Sequence, residues 1–116
     1  MTELQILTKW EDMIDYGYIA LRQYPKSEKH ALAQETRAAM WDVGTHLLRA
    51  QAIKSSRARQ TELTKADTAL ARLRVLLRAG ARLKFLPLKK YRHWSSINVE
   101  LGKMLGGWMT ATNNRQ

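Results

Sequence analysis

Apolar residues recur at three- and four-residue steps along nearly the whole chain, the spacing of one helix face, and no stretch alternates as a strand would. The clearest run is Thr61 to Lys84, where Leu63, Ala66, Leu70, Leu73, Leu77 and Ala81 form a single stripe. A first helix is predicted from Leu4 to Arg22. Leu7, Trp10, Ile14 or Met13, Gly17 or Tyr18, and Leu21 make its seam, while Glu11, Asp12 and Asp15 face outward. Thr2 with Glu3 is a candidate start. Tyr24-Pro25-Lys26 ends the helix, because proline disfavours helical geometry in the residue before it.

Ser27 then reads as the N-cap of a second helix from Glu28 to Lys54, with Glu28 in the favourable first turn. Its seam is Leu32, Thr36, Ala39 or Met40, Val43, Leu47, Ala50 and Ile53. Gly44 sits beside that seam at a propensity cost of about 1 kcal/mol relative to alanine, which predicts a close helix crossing. Ser55 to Gln60 is polar and reads as a connection to the third helix, whose last turns Gly80 would loosen. Pro87 suits the first position of a fourth helix. Leu88, Tyr91, Trp94, Ile97 or Asn98, Leu101, Met104 or Leu105, Trp108 and Met109 continue its period, and Thr110 to Gln116 should fray. Helices joined by short turns predict an all-α, up-down-up-down antiparallel four-helix bundle, one domain over residues 1–116. A chain of this length buries roughly two thirds of its unfolded surface.

Charge is distributed unevenly. Residues 1–50 hold 6 Lys/Arg and 7 Asp/Glu, a net of −1, whereas residues 51–116 hold 14 Lys/Arg and 3 Asp/Glu, a net of +11. That asymmetry favours a polyanionic partner: nucleic acid, an acidic protein or a membrane surface. The basic candidates form a belt. Lys54, Arg57 and Arg59 precede the third helix, and Lys65, Arg72, Arg74, Arg78 and Arg82 lie on it. Lys84, Lys89, Lys90 and Arg92 continue into the fourth. Guanidinium groups match phosphate geometry and a rigid helix holds them as an array. A solvated charged face is the plainer account of the same residues. No zinc finger, glycine-marked helix-turn-helix or aromatic strand motif accompanies the belt, so any nucleic-acid affinity should be insensitive to sequence and weakened by salt.

Catalytic groups are not legible. The chain has no cysteine, which excludes disulfides and thiolate metal sites. His30, His46 and His93 form no metal-ligand pair at helical spacing. Glu28, Glu35 and Asp42 make a heptad-spaced row that reads as a solvated or salt-bridged face, with a docking surface for a basic neighbour as the alternative. No phosphate-binding glycine loop and no nucleophile with a base can be found, so neither enzyme activity nor a cofactor is expected. The acidic N-terminus lacks the basic start of a signal peptide, and no segment is long and charge-free enough to span a membrane, so a cytoplasmic protein is expected. The paired glycines of Gly106-Gly107-Trp108 cost about 2 kcal/mol in helix propensity. They mark a candidate close helix packing or subunit interface. Trp10, Trp41, Trp94 and Trp108 are core or interface anchors.

These residues together resemble the accessory variability (Avd) family of diversity-generating retroelements, within a wider group of small four-helix bundle proteins encoded in intervening sequences of bacterial 23S ribosomal RNA genes. The resemblance covers nearly the whole chain. It rests on Trp10 and Tyr18 in the first helix, the Tyr24-Pro25-Lys26-Ser27-Glu28 turn, the leucines and arginines of Ala69 to Arg82, and Tyr91. The ending Leu101-Gly102-Lys103-Met104-Leu105-Gly106-Gly107-Trp108-Met109 is its most specific part. The resemblance implies a basic homopentameric barrel that associates with the retroelement's reverse transcriptase and binds RNA and DNA. It also implies a role in mutagenic retrohoming, in which a mutagenised cDNA diversifies a target gene, with the chemistry belonging to the partner enzyme. Arg74, Arg78 and Arg82 match the family's basic third helix. The alternative is a stand-alone bundle acting as a structural or protein-interaction module.

Overall fold

The computed structural model describes residues 3–115 and places four helices in chain order: α1 (Glu3–Leu21), α2 (Leu32–Ala52), α3 (Ser56–Arg82) and α4 (Leu88–Asn113). Among the described residues there is no strand. Each helix packs on the next, and α4 closes back onto α1, while the backbones of the diagonal pairs α1–α3 and α2–α4 stay apart, α1 and α3 being joined through the Arg59–Glu3 ion pair at 4.0 Å. This is the up-down-up-down four-helix bundle that the periodicity predicts. Its long dimension, 46 Å, is set by α3 and α4, since helices of this length span about 40 Å at 1.5 Å per residue.

The predicted seams converge on one core. Leu63, Ala66, Leu70, Leu73 and Leu77 of α3 are buried, with Gly80 rather than Ala81 completing the stripe. α1 contributes Ile6, Trp10, Met13, Gly17, Ala20 and Leu21; Ile14 is only half-buried and Tyr18 faces outward. α2 contributes Thr36, Ala39, Met40, Val43, Leu47 and Ala50. From α4 come Trp94, Ile97, Asn98, Leu101, Leu105 and Trp108. Burying such side chains at about 1.5–3 kcal/mol each supplies the drive to pair the helices.

Several boundaries differ from those predicted. Residues Lys26–Glu28 form a single 3-10 turn after Pro25, so Ser27 is not the N-cap of α2. The N-cap position falls to Ala31, which has no capping side-chain bond; Glu28 Oε1, from the turn before, accepts from the Leu32 backbone N–H at 3.2 Å and so satisfies one of the orphan donors of the helix start. The connection predicted over Ser55 to Gln60 is mostly helix. α3 begins at Ser56, with Ser55 as its N-cap accepting from Ala58 N at 3.4 Å. Pro87 lies just before α4 rather than in its first turn, and α4 runs unbroken to Asn113, further than the predicted fraying. The Thr2 start of α1 lies outside the described residues.

Two glycines make room for aromatic rings. A Cβ on Gly44 would lie 2.6 Å from Trp10 Cη2 and closer still to the rest of that ring, so the close approach predicted there is made by an indole and not by a bare helix crossing. The same indole donates from Nε1 to Met40 O at 3.0 Å. A Cβ on Gly80 would lie 3.0 Å from Tyr24 Cζ, with the tyrosine oxygen nearer. Gly80 therefore seats Tyr24 and does not loosen α3. The helix ends two residues later, where Phe85 N donates to Gly80 O at 2.9 Å and Lys84 N to Ala81 O at 3.1 Å. Lys84 takes φ 65 at the position where such a C-terminal cap favours glycine.

Candidate nucleic-acid interface

The bundle sorts the basic belt by flank. On a helix, positions two apart point to nearly opposite sides, so Arg72 and Arg74 separate although they are near neighbours in sequence. Arg72 reaches back to α2 and is hydrogen-bonded and ion-paired to Glu35. Lys65, also on that flank, lies 3.7 Å from Glu62. Together with Asp42 and His46, Lys65 and Arg72 line an open groove between α2 and α3. His46 Nδ1 sits 2.7 Å from Glu62 Oε2, and that hydrogen bond, more than the nearby positive charge, holds the Glu62 carboxyl below its usual range. This flank of the belt is neutralised within the chain.

Arg59 is engaged inside the bundle. Its Nε donates to Ala50 O at 3.0 Å and its Nη2 to Ile53 O at 2.6 Å. It caps the open carbonyls at the end of α2, a position that favours a cation.

The other flank is different. Arg74, Arg78 and Arg82 recur one turn apart on the side of α3 facing α4 or solvent, and all three are exposed. Among the described residues, none of the three has a hydrogen-bond or ion-pair partner. Lys84 at the α3–α4 turn, Lys89 and Arg92 early in α4, and Lys54 and Arg57 at the other end of α3 are exposed too, while Lys90 is half-buried. The structure thus brings Arg74, Arg78 and Arg82 together with the α3–α4 turn, and sets Lys54 and Arg57 at the far end of the rod.

A cavity of about 160 Å³ opens between Arg74 and Arg78 of α3 and Tyr91, Ser95, Asn98 and Val99 of α4. Arg74 lies across α4 close to Gly102, where a Cβ would be 3.1 Å from its Nη2. Asn98 is 1% exposed, and neither its Nδ2 nor its Oδ1 has a partner. Buried amides are paired in the great majority of cases, so this one is conspicuous. The sequence signal for it was an asparagine at a seam position of the fourth helix, where Tyr91 also stands; Ser95 carried no such mark.

The Gly106-Gly107-Trp108 segment divides as well. Trp108 is buried in the core, whereas Gly106 and Gly107 face outward. A Cβ on Gly106 would meet nothing within 4 Å, so packing inside the protomer gives no reason for that glycine. His30 and His93 are exposed, with the His93 ring edge-on to Tyr16 at 4.5 Å. Among the described residues no group of three His, Asp or Glu side chains could hold a metal ion, and no helix is long and apolar enough to cross a membrane.

What the arrangement can do is present unpaired guanidinium groups, one helical turn apart, to a polyanion. Comparison with curated proteins gives no match. A family model described as bAvd-like matches residues 4–112, and the chain belongs to that family, as the residues of its turn and its C-terminal segment led one to expect.

Proposed function

We propose that this bAvd-like chain is a non-catalytic accessory protein of a diversity-generating retroelement, acting in the cytoplasm as a single bundle domain assembled into a homopentamer. It binds the reverse transcriptase together with template RNA and cDNA, and so supports mutagenic retrohoming. Membership of the bAvd-like family supports an accessory role of the Avd kind. The observation that carries the nucleic-acid part is the row Arg74, Arg78 and Arg82, exposed and unpaired along one edge of a rigid helix. Such an array contacts phosphates without reading bases. Gly106 and Gly107, exposed on α4, are its candidate subunit contact, because a residue without a side chain lets another backbone approach closely.

The test is co-purification with a reverse transcriptase encoded beside the gene, and binding to RNA and DNA across a salt series. The triple variant R74Q/R78Q/R82Q should stay folded and lose affinity. Its log–log salt slope should fall by about 3 if each arginine neutralises one phosphate. Unfolding of the variant would make the arginines structural, and an affinity indifferent to salt would remove the electrostatic reading. A genome neighbourhood without a reverse transcriptase, template repeat and variable repeat would favour the stand-alone interaction module instead. Light scattering on the intact protein tests the pentamer, which a monomeric mass would refute.

A further inference from the structure

Beyond the phosphate-binding row lies the cavity between α3 and α4, and its floor is not built for phosphate. Asn98 is part of its lining, and the amide's N–H donor and carbonyl acceptor, each unpaired, are themselves covered. A phosphate offers only acceptors and would be repelled by Asn98 Oδ1. The complementary ligand carries a donor and an acceptor side by side, as the hydrogen-bonding edge of a nucleobase does. The walls suit a flat ring. Tyr91 and Val99 are partly apolar surfaces beside the amide, and the planar guanidiniums of Arg74 and Arg78 stack on bases as readily as they pair with phosphates. At about 160 Å³ the space takes one heterocycle and not a base pair. Arg74 and Arg78 are exposed on its lining and free of partners, so no bond within the chain holds them in place over the amide.

We infer that this cavity is a pocket for a single unpaired nucleobase, with the Asn98 amide on its edge and Arg74 and Arg78 on the adjoining phosphates. The inference rests on the reading that the α3–α4 edge binds nucleic acid, and narrows it: strands with accessible bases bind better than duplexes whose base edges are already paired. The orphaned amide also explains itself, because ligand binding supplies the partners that the free protein lacks.

The experiment uses the full chain with three probes at the same salt: a short mixed-sequence RNA strand, the same strand in a blunt duplex, and an abasic strand of equal length. The base-bearing strand should bind about tenfold tighter than the abasic one, and N98L should abolish that difference. Duplex affinity and the salt slope should be unchanged in N98L, and its unfolding midpoint should not fall, since an unpaired buried amide has been replaced by an apolar group of similar size. If N98L fails to fold, the comparison of base-bearing and abasic strands on the unaltered protein still decides, and equal affinities overturn the pocket. A base-dependent preference that survives in N98L places the base elsewhere and overturns the assignment. N98L that binds every probe normally but no longer co-purifies with the reverse transcriptase makes the pocket a protein contact and overturns it too. Failure of all three probes to bind at low salt refutes the broader nucleic-acid reading instead.

Discussion

Replacing glycine by alanine inside a helix ordinarily stabilises it by about 0.8–1.0 kcal/mol. Here the same change should have opposite signs at two positions. At Gly106 the added Cβ meets nothing within 4 Å, so G106A should gain the full propensity term, about 1 kcal/mol. At Gly44 the Cβ would lie 2.6 Å from Trp10 Cη2 and closer to the neighbouring ring atoms, and the ring cannot yield freely. Its Nε1 is tied to Met40 O at 3.0 Å, and it stands edge-on to Trp41 with centroids 5.5 Å apart. Displacing it loses a hydrogen bond of about 1 kcal/mol and an aromatic pair of about 1 kcal/mol. Overpacking adds about 2 kcal/mol. Against the propensity gain, G44A should be about 3 kcal/mol less stable than the parent. Urea unfolding followed by circular dichroism and tryptophan fluorescence measures both variants, and near 100 residues each kcal/mol moves the thermal midpoint by about 4–8 °C. A G44A protein as stable as the parent would show that Trp10 moves without cost and would refute the argument. Light scattering on G106A adds a second reading. If Gly106 lies against a neighbouring subunit, the oligomer should weaken while the protomer itself becomes more stable.

Other substitutions separate structural from binding roles. R59A should cost about 2 kcal/mol through its lost charged hydrogen bonds to the end of α2, with little change in nucleic-acid affinity; a loss of affinity without loss of stability would return Arg59 to the interface. K84G should stabilise by about 1 kcal/mol in urea unfolding, since φ 65 is unfavourable for a residue with a Cβ, and an unchanged midpoint would mean the turn carries no strain. Burial pushes the Tyr24 hydroxyl up to about 12 from its usual 10.0. The folded state therefore holds that proton more tightly, and stability should be intact below pH 10 and decline as pH rises toward 12. Y24F, which also removes an unpaired buried oxygen, should flatten that alkaline decline and raise stability at neutral pH; an unchanged alkaline profile would place its cause elsewhere.

Much of the bundle was legible because its core follows a strict period. The α3 stripe from Leu63 to Leu77 is buried throughout, and the same rule located α4. Boundaries were harder because capping depends on which side chain reaches which amide. Ser27 has the better N-cap chemistry, yet the 3-10 turn after Pro25 moves the start of α2 forward, and Glu28, one turn before Leu32, makes the bond. Nothing local distinguishes those outcomes. Arg59 shows the limit for function. It looks like any belt arginine until the end of α2 is placed beside it.

The basic character of the surface survives this sorting, but its shape changes. The acids of α2 lie along one flank of α3, where Glu35 answers Arg72 and Asp42 shares a groove with Lys65. On the α4 flank, among the described residues, no acid pairs with Arg74 or Arg78, Asp67 on the same face of α3 lying about two turns away; the lining there is Tyr91, Ser95, Asn98 and Val99. Glu100 on α4 is turned to the other side, paired with Lys9 of α1. Neutralisation is therefore strongest on the α2 flank, and the unpaired guanidiniums of Arg74, Arg78 and Arg82 stand at the α3–α4 edge. The unpaired Arg74 and Arg78 and the buried, unpaired Asn98 amide lie on adjoining turns of the same two helices, so the groups that would attract a polyanion and the group that would select a base are neighbours.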